Sequence, residues 1–150
     1  MRTKRIDISK VDGSYYQPLL DLNNKLRSSS LSTGELLLIY IRASQINGCA
    51  YCIQSHIKEA VERGEKQYRI HALMAWAESP FFTEEERAIL KITEEVTYIS
   101  QKGISEASYA KAEELFDSKK IADIIMAALC INAWNRVGIS TLLEPYKSQE

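Results

Sequence analysis

Apolar residues recur at three- and four-residue intervals along almost the whole chain, and no stretch alternates apolar with polar residues between turn signals. That spacing builds helix faces rather than half-buried strands, so the expected fold class is all-α. Leu19, Leu22 and Leu26 share one face of a helix over Pro18–Arg27, and Ser28-Ser29-Ser30 ends it. Ser32-Thr33-Gly34-Glu35 reads as a capping box that opens a helix to about Gln45 or Ile46. Asn47-Gly48 is its stop. A helix from close to Cys49 to the terminating glycine Gly64 follows, then one over Lys66–Ala77, stopped ahead of Ser79-Pro80. Thr83-Glu84-Glu85-Glu86 is a second capping box, and its helix ends at Gly103. Ser105 opens a helix to Phe116. The last long helix is expected over about Lys120–Val137, with Gly138 behind it and a short tail helix over Ser140–Leu143. The sum is a bundle of about six to seven helices.

At 150 residues the chain is expected to be one domain, residues 1–150, with a sizeable core. A net charge of −1 and the lack of a basic stripe argue against nucleic acid as a partner. Ile124–Ile131, the longest wholly apolar run, is far short of a membrane span. Met1–Lys10 carries Arg2, Lys4 and Arg5 but no apolar run after them, so it does not read as a secretory signal. A cytoplasmic protein is expected, with no membrane partner. Leu36–Ile41 and Ile121–Trp134 are apolar on more than one helix side, which in a chain of this size points to a homo-oligomer.

The chemistry concentrates in Asn47-Gly48-Cys49-Ala50-Tyr51-Cys52-Ile53-Gln54-Ser55-His56. On a helix, positions 49, 52 and 56 advance by about 300° and then 400°, which puts all three side chains on one stripe. Three cysteines cannot form a closed disulfide framework, and in the cytoplasm a close pair is more often catalytic or metal-binding. Sulfur attacks as the thiolate, and both a helix N-terminus and a nearby imidazolium favour that form. His56 stands one turn beyond Cys52 and can take its proton or return one to a leaving oxygen. The asymmetry assigns roles: Cys52 attacks an electrophile such as a peroxide oxygen to give a sulfenic acid, and Cys49 closes the disulfide. A reductant then reopens it by exchange, with no metal and no organic cofactor required. Two other readings stand beside this one. Cys49, Cys52 and His56 are three potential zinc ligands, with Cys130 or His71 as a fourth. The cysteines can also simply pack as small apolar residues in a redox-silent helical module.

Arg42 through Cys52, with His56 following, resembles the core of the AhpD-like alkylhydroperoxidases of the carboxymuconolactone decarboxylase superfamily. The likeness continues in Lys58-Glu59-Ala60, in Trp76 with Ser79-Pro80-Phe81-Phe82-Thr83, in Glu86-Arg87-Ala88, in Glu94-Glu95-Val96-Thr97 and in Ile131-Asn132-Ala133-Trp134-Asn135-Arg136. The resemblance implies a compact helical fold with the dithiol at the N-terminus of a central helix. It also implies trimers or hexamers, and peroxidase activity on (alkyl) hydroperoxides fed by a dithiol reductant protein. Carried over by position, Cys52 is the attacking cysteine, Cys49 the resolving one and His56 the proton relay. The decarboxylase branch lacks the CxxC pair.

Two positions depart from the pattern. The relay glutamate often found twelve residues before the first cysteine is Leu37 here, and a histidine between the cysteines is replaced by Tyr51. Glu35 is expected to serve its capping box rather than a relay, Cys130 to be a buried core thiol and His71 a polar or satisfied histidine. Tyr51 reads as a packing aromatic with a hydroxyl near the site. Arg42 stands seven residues before Cys49, either near the sulfur or in an ion pair.

Overall fold

A computed structural model describes residues 5–146; the first four residues of the Met1–Lys10 segment lie outside it. Among the described residues there are eight α-helices and no strand, as the spacing requires. They are α1 (Ile8–Asp12), α2 (Tyr16–Arg27), α3 (Thr33–Asn47), α4 (Ala50–Glu62), α5 (Gln67–Ala72), α6 (Glu84–Thr97), α7 (Glu106–Leu115) and α8 (Ser118–Ser140). Short 3₁₀ turns occupy Gly13–Tyr15 and Leu73–Ala75.

Both expected capping boxes form. Ser32 accepts from the Glu35 N–H while the Glu35 carboxylate accepts from the Ser32 N–H, and Thr83 and Glu86 do the same. Each satisfies backbone donors that a helix start otherwise leaves open. Ser105 and Asp117 cap α7 and α8 from their side chains.

Helix α3 is the axis. Leu36 through Ile41, Ala43 and Ser44 are all buried, because α4, α6 and α8 pack around it. One core cluster joins Leu36, Ile39 and Tyr40 to Ile89, Ile92, Ile124, Ala127 and Ile131, and includes both Cys49 and Cys52. A second lies on the other side of α3, where Leu37, Leu38 and Ile41 meet Ala60, Ile70, Leu73, Trp76 and Leu90. The all-round apolar character of α3 is therefore used up inside the chain. That of α8 is not, since Met126, Leu129 and Ile139 remain exposed.

Several boundaries differ from expectation. The helix expected to end at Gly103 stops at Thr97, and a turn over residues 98–101 follows it. The helix expected over Lys66–Ala77 is α-helical only to Ala72 and then tightens into the 3₁₀ turn. Asp117 starts α8 earlier than expected, and α8 runs on through Gly138 to Ser140, because Gly138 is buried against other elements and its neighbours hold the helix. The tail helix over Ser140–Leu143 is absent: Thr141 and Leu142 form a turn instead. Before α2, Asp7 and Asp12 each accept a hydrogen bond from the backbone two residues on and nucleate short helical turns that apolar spacing did not signal.

Candidate active site

The corner between α3 and α4 is made by Gly48, whose φ of 71° is the left-handed conformation that glycine reaches without a Cβ clash. Gly48 N–H donates to the Gln45 carbonyl at 3.3 Å and Cys49 N–H to that of Ser44 at 3.1 Å, which is a Schellman ending. Cys49 is consequently the residue that caps α4 rather than part of its first turn, and Cys52 lies in that turn. The structure pairs the two as a disulfide, with Cα atoms 5.4 Å apart, inside the range such a bond needs. Both are deeply buried, Cys49 at 2% exposure and Cys52 at 6%.

Gly138 explains why α8 can come this close. A Cβ built on it would lie 3.2 Å from Cys49 Sγ, tight enough that the sulfur would have to give by a few tenths of an ångström, and in ordinary contact with Cys52 Sγ at 3.8 Å. Beside it, Asn47 Nδ2 donates to Asn132 Oδ1 and Asn135 Oδ1, both at 2.9 Å. Asn135 in turn donates to Ser44 Oγ at 2.9 Å, and Asn132 to Thr97 Oγ1 at 3.0 Å. The residue two before Cys49 is thus bolted to α8 by its side chain. Asn132, Asn135 and Gly138 had a signal in the sequence: they recur at three-residue spacing directly after the wholly apolar run Ile124–Ile131.

Cys52 faces a cavity of about 850 Å³. Its walls include His56, Tyr40, Tyr51, Trp134 and Leu142; Cys49 is not among them. The structure therefore brings Cys52 and His56 to one space and keeps Cys49 behind the disulfide. The His56 ring packs on Tyr40 with centroids 4.9 Å apart, and Tyr40 is itself held by donating to Asn23 at 2.8 Å. His56 Nδ1 is buried and has no hydrogen-bond partner among the described residues. Burial disfavours the imidazolium most, Glu59 opposes that and Arg27 reinforces it; the result is a His56 pKa pushed down to about 4. An imidazolium next to Cys52, one of the two expected thiolate-stabilising features, is therefore missing at neutral pH, and a neutral proton acceptor takes its place. Glu59 stays ionised because Arg27 grips it with two hydrogen bonds of 2.6 and 2.9 Å; against the opposing effect of burial, and with Arg63 helping, its pKa falls to about 2.

The other singled-out residues sit elsewhere. Glu35 joins its capping box and pairs with Lys120 at 2.7 Å. Leu37 is buried core. Arg42 pairs with Glu94 at 2.8 Å, and Glu94 also accepts from Trp76 Nε1 at 2.7 Å. Tyr51 lines the cavity and meets Tyr146 edge-on, with centroids 6.5 Å apart. Cys130 is fully buried, and burial pushes its thiol up. His71 is exposed on α5. Among the described residues no group of three or more His, Cys, Asp or Glu is placed to hold a metal ion.

Residues 14–95 match the model of the carboxymuconolactone decarboxylase family. The chain belongs to that family. The chain is similar to the uncharacterized protein YdfG of Bacillus subtilis, 33% identical over 92% of this chain and 94% of that one. It is also similar to a protein of unknown function from Agrobacterium tumefaciens, proposed to be the antioxidant defence protein AhpD. That crystal structure has 32% identity and a TM-score of 0.93 over 97% of this chain and all of its own. At 18% identity, an alkylhydroperoxidase AhpD core protein from Ralstonia eutropha, described as peroxidase-related, shares the fold with a TM-score of 0.80 over 93% of this chain and 74% of that one. The AhpD-like member of the family described above is thus all-helical, with its close cysteine pair at the start of α4.

Proposed function

We propose that this protein is a dithiol peroxidase that reduces organic hydroperoxides by cycling Cys49 and Cys52 between dithiol and disulfide. The observation that carries the reading is the division of labour around the pair: Cys52 lines the cavity, Cys49 does not, and the cavity's own histidine offers a buried, unpartnered ring nitrogen.

In the reduced protein, neutral His56 takes the Cys52 proton. The thiolate attacks the terminal peroxide oxygen and the O–O bond breaks. The alkoxide leaves with the proton from His56 as the alcohol, and Cys52 becomes a sulfenic acid. The Cys49 sulfur displaces that hydroxyl, which departs with the Cys49 proton as water, and the disulfide forms. A dithiol reductant protein then supplies two electrons and two protons by exchange. The helix N-terminus of α4 supplies the positive potential that favours the Cys52 thiolate. His56 must be unprotonated to begin, and burial keeps it so at neutral pH.

The wider reading is an antioxidant enzyme of the reducing cytoplasm that needs no cofactor. Among the described residues no helix is long and apolar enough to cross a membrane. Exposed Met126, Leu129 and Ile139 on α8 are the surface for self-association into a homo-oligomer, a trimer or hexamer by the family resemblance.

Intact-mass analysis tests the cycle. After organic hydroperoxide the parent protein should lose two titratable thiols and the mass of two hydrogen atoms, with no oxygen added. Cys49→Ser should instead carry a trappable sulfenic acid on Cys52, and Cys52→Ser should not turn over. A Cys49→Ser variant that turned over normally with the native reductant would end the two-cysteine scheme.

A further inference from the structure

Three helices of this protein end in the same way. After α3, Gly48 N–H bonds back three residues and Cys49 N–H five; after α4, Gly64 N–H bonds to Val61 and Glu65 N–H to Ala60. After α8, Leu142 N–H bonds to the Ile139 carbonyl at 3.3 Å and Leu143 N–H to that of Gly138 at 2.9 Å. The first two place glycine at the left-handed position, with φ of 71° and 93°; the third places leucine there, at φ 55°. Leu142 is the one non-glycine residue with positive φ among the described residues. A γ-branched side chain is unfavourable in that conformation and persists only where its surroundings demand it.

The demand has a location. Leu142 lines the cavity that Cys52 and His56 also line, in a wall continued by Leu143, Tyr51 and Trp134. Its turn is anchored on Gly138, whose carbonyl receives the Leu143 N–H and whose Cα faces the two sulfurs. The wall and the sulfurs are therefore referenced to one residue. We infer that Leu142 is a specificity-determining residue: the strained turn holds its isobutyl group where the organic part of a bulky, apolar hydroperoxide rests while the peroxide oxygen reaches Cys52. This rests on the hydroperoxide reading above. Hydrogen peroxide has no apolar part and gains nothing from that contact.

Asparagine and glycine both accept a positive φ, and asparagine keeps leucine's branched outline while making its end polar. Leu142→Asn and Leu142→Gly in the full chain should hold or raise the Tm. Both should lower the ratio of kcat/KM for cumene hydroperoxide over that for hydrogen peroxide, by at least about fivefold. The Kd of 2-phenylpropan-2-ol, the alcohol product, read from tryptophan fluorescence, should rise by a similar factor. An unchanged ratio and Kd overturn the assignment. So does a fall in Tm with both peroxides slowed equally, which would mark the turn as a plain structural stop. If the parent consumes neither peroxide, the hydroperoxide reading fails, and the Kd comparison alone decides Leu142.

Discussion

On the α8 side of the cysteine pair, Asn47 donates to Asn132 and Asn135, Asn135 donates to Ser44, and Asn132 donates to Thr97 and to the Ala128 carbonyl. On the cavity side, His56 Nδ1 is just as thoroughly removed from solvent and has no partner among the described residues. The two regions stand within about two turns of the same helix start, yet they treat buried polar atoms in opposite ways. A satisfied network fixes geometry, whereas an unpartnered buried nitrogen costs stability and keeps a proton acceptor free. The first region holds Cys49 in place, and the second leaves chemistry open at Cys52.

The comparison breaks most visibly at His56. His56→Phe keeps an aromatic ring against Tyr40 but removes the proton acceptor. Sulfenic acid formation in rapid-mixing experiments at pH 7 should slow by about 100-fold or more, the scale of a lost general base. The urea midpoint at pH 7 should not fall, since the substitution exchanges an unsatisfied nitrogen for carbon. The sign with pH is definite. His56 titrates near 4 in the fold and near 6.5 when unfolded, so between those values the unfolded chain binds the extra proton. The stability associated with neutral His56 is complete above pH 6.5 and is lost as pH falls towards 4. His56→Phe should flatten that part of the stability profile and leave the lower window, where Glu59 titrates between about 2 and 4.5, untouched. A variant with normal rates and a lower midpoint would invert the proposed contrast.

Asn135→Ala tests the other region. Asn135 is fully buried and joins Ser44 to Asn47, so alanine strips a partner from each and leaves a void. The expected loss is about 2–3 kcal/mol in urea unfolding. The change should appear in the midpoint with little change in slope. A loss below about 0.5 kcal/mol, the range of ordinary surface substitutions, would mean that the network is ornament to the corner rather than its support.

These regions also differ in how far the sequence exposes them. Capping boxes at Ser32 and Thr83, the Asn47-Gly48 stop and the all-α class are local statements, written in a few neighbouring residues, and the structure repeats them. The cysteine pair is equally local, because helical spacing alone brings the residues close. The asparagine network and the Gly138 contact join residues up to 91 positions apart, the cavity joins residues still farther apart, and all depend on how α8 crosses α3 and α4. Periodicity says which face of a helix is apolar and nothing about which neighbour it meets. The misreading of Gly138 shows this: as a letter it resembles a helix stop, and only packing against sulfur reveals why it interrupts α8. The neutral state of His56 is likewise set by burial, a tertiary property.

Glu35 offers the mildest test and the sharpest control. It is the acid nearest in sequence to the relay position that Leu37 occupies, and its carboxylate is engaged by the Ser32 N–H and by Lys120. Burial pulls its pKa upward, but the Lys120 and Ser32 hydrogen bonds outweigh that and hold it below the usual carboxylate value. A lowered carboxylate pKa adds stability that is present at neutral pH and disappears as pH falls through the folded-state value. Glu35→Gln keeps a hydrogen-bond acceptor for the cap while removing the charge, so the loss at pH 7 should be about 0.5–1 kcal/mol and should shrink as pH falls below the usual carboxylate range. Peroxide-dependent thiol loss should stay within about twofold, because the side chain is occupied at the far end of α3 from Gly48. A hundredfold fall in that rate with an unchanged urea midpoint would place Glu35 in the proton path after all, and the division between a holding region and a reacting one would have to be redrawn around α3.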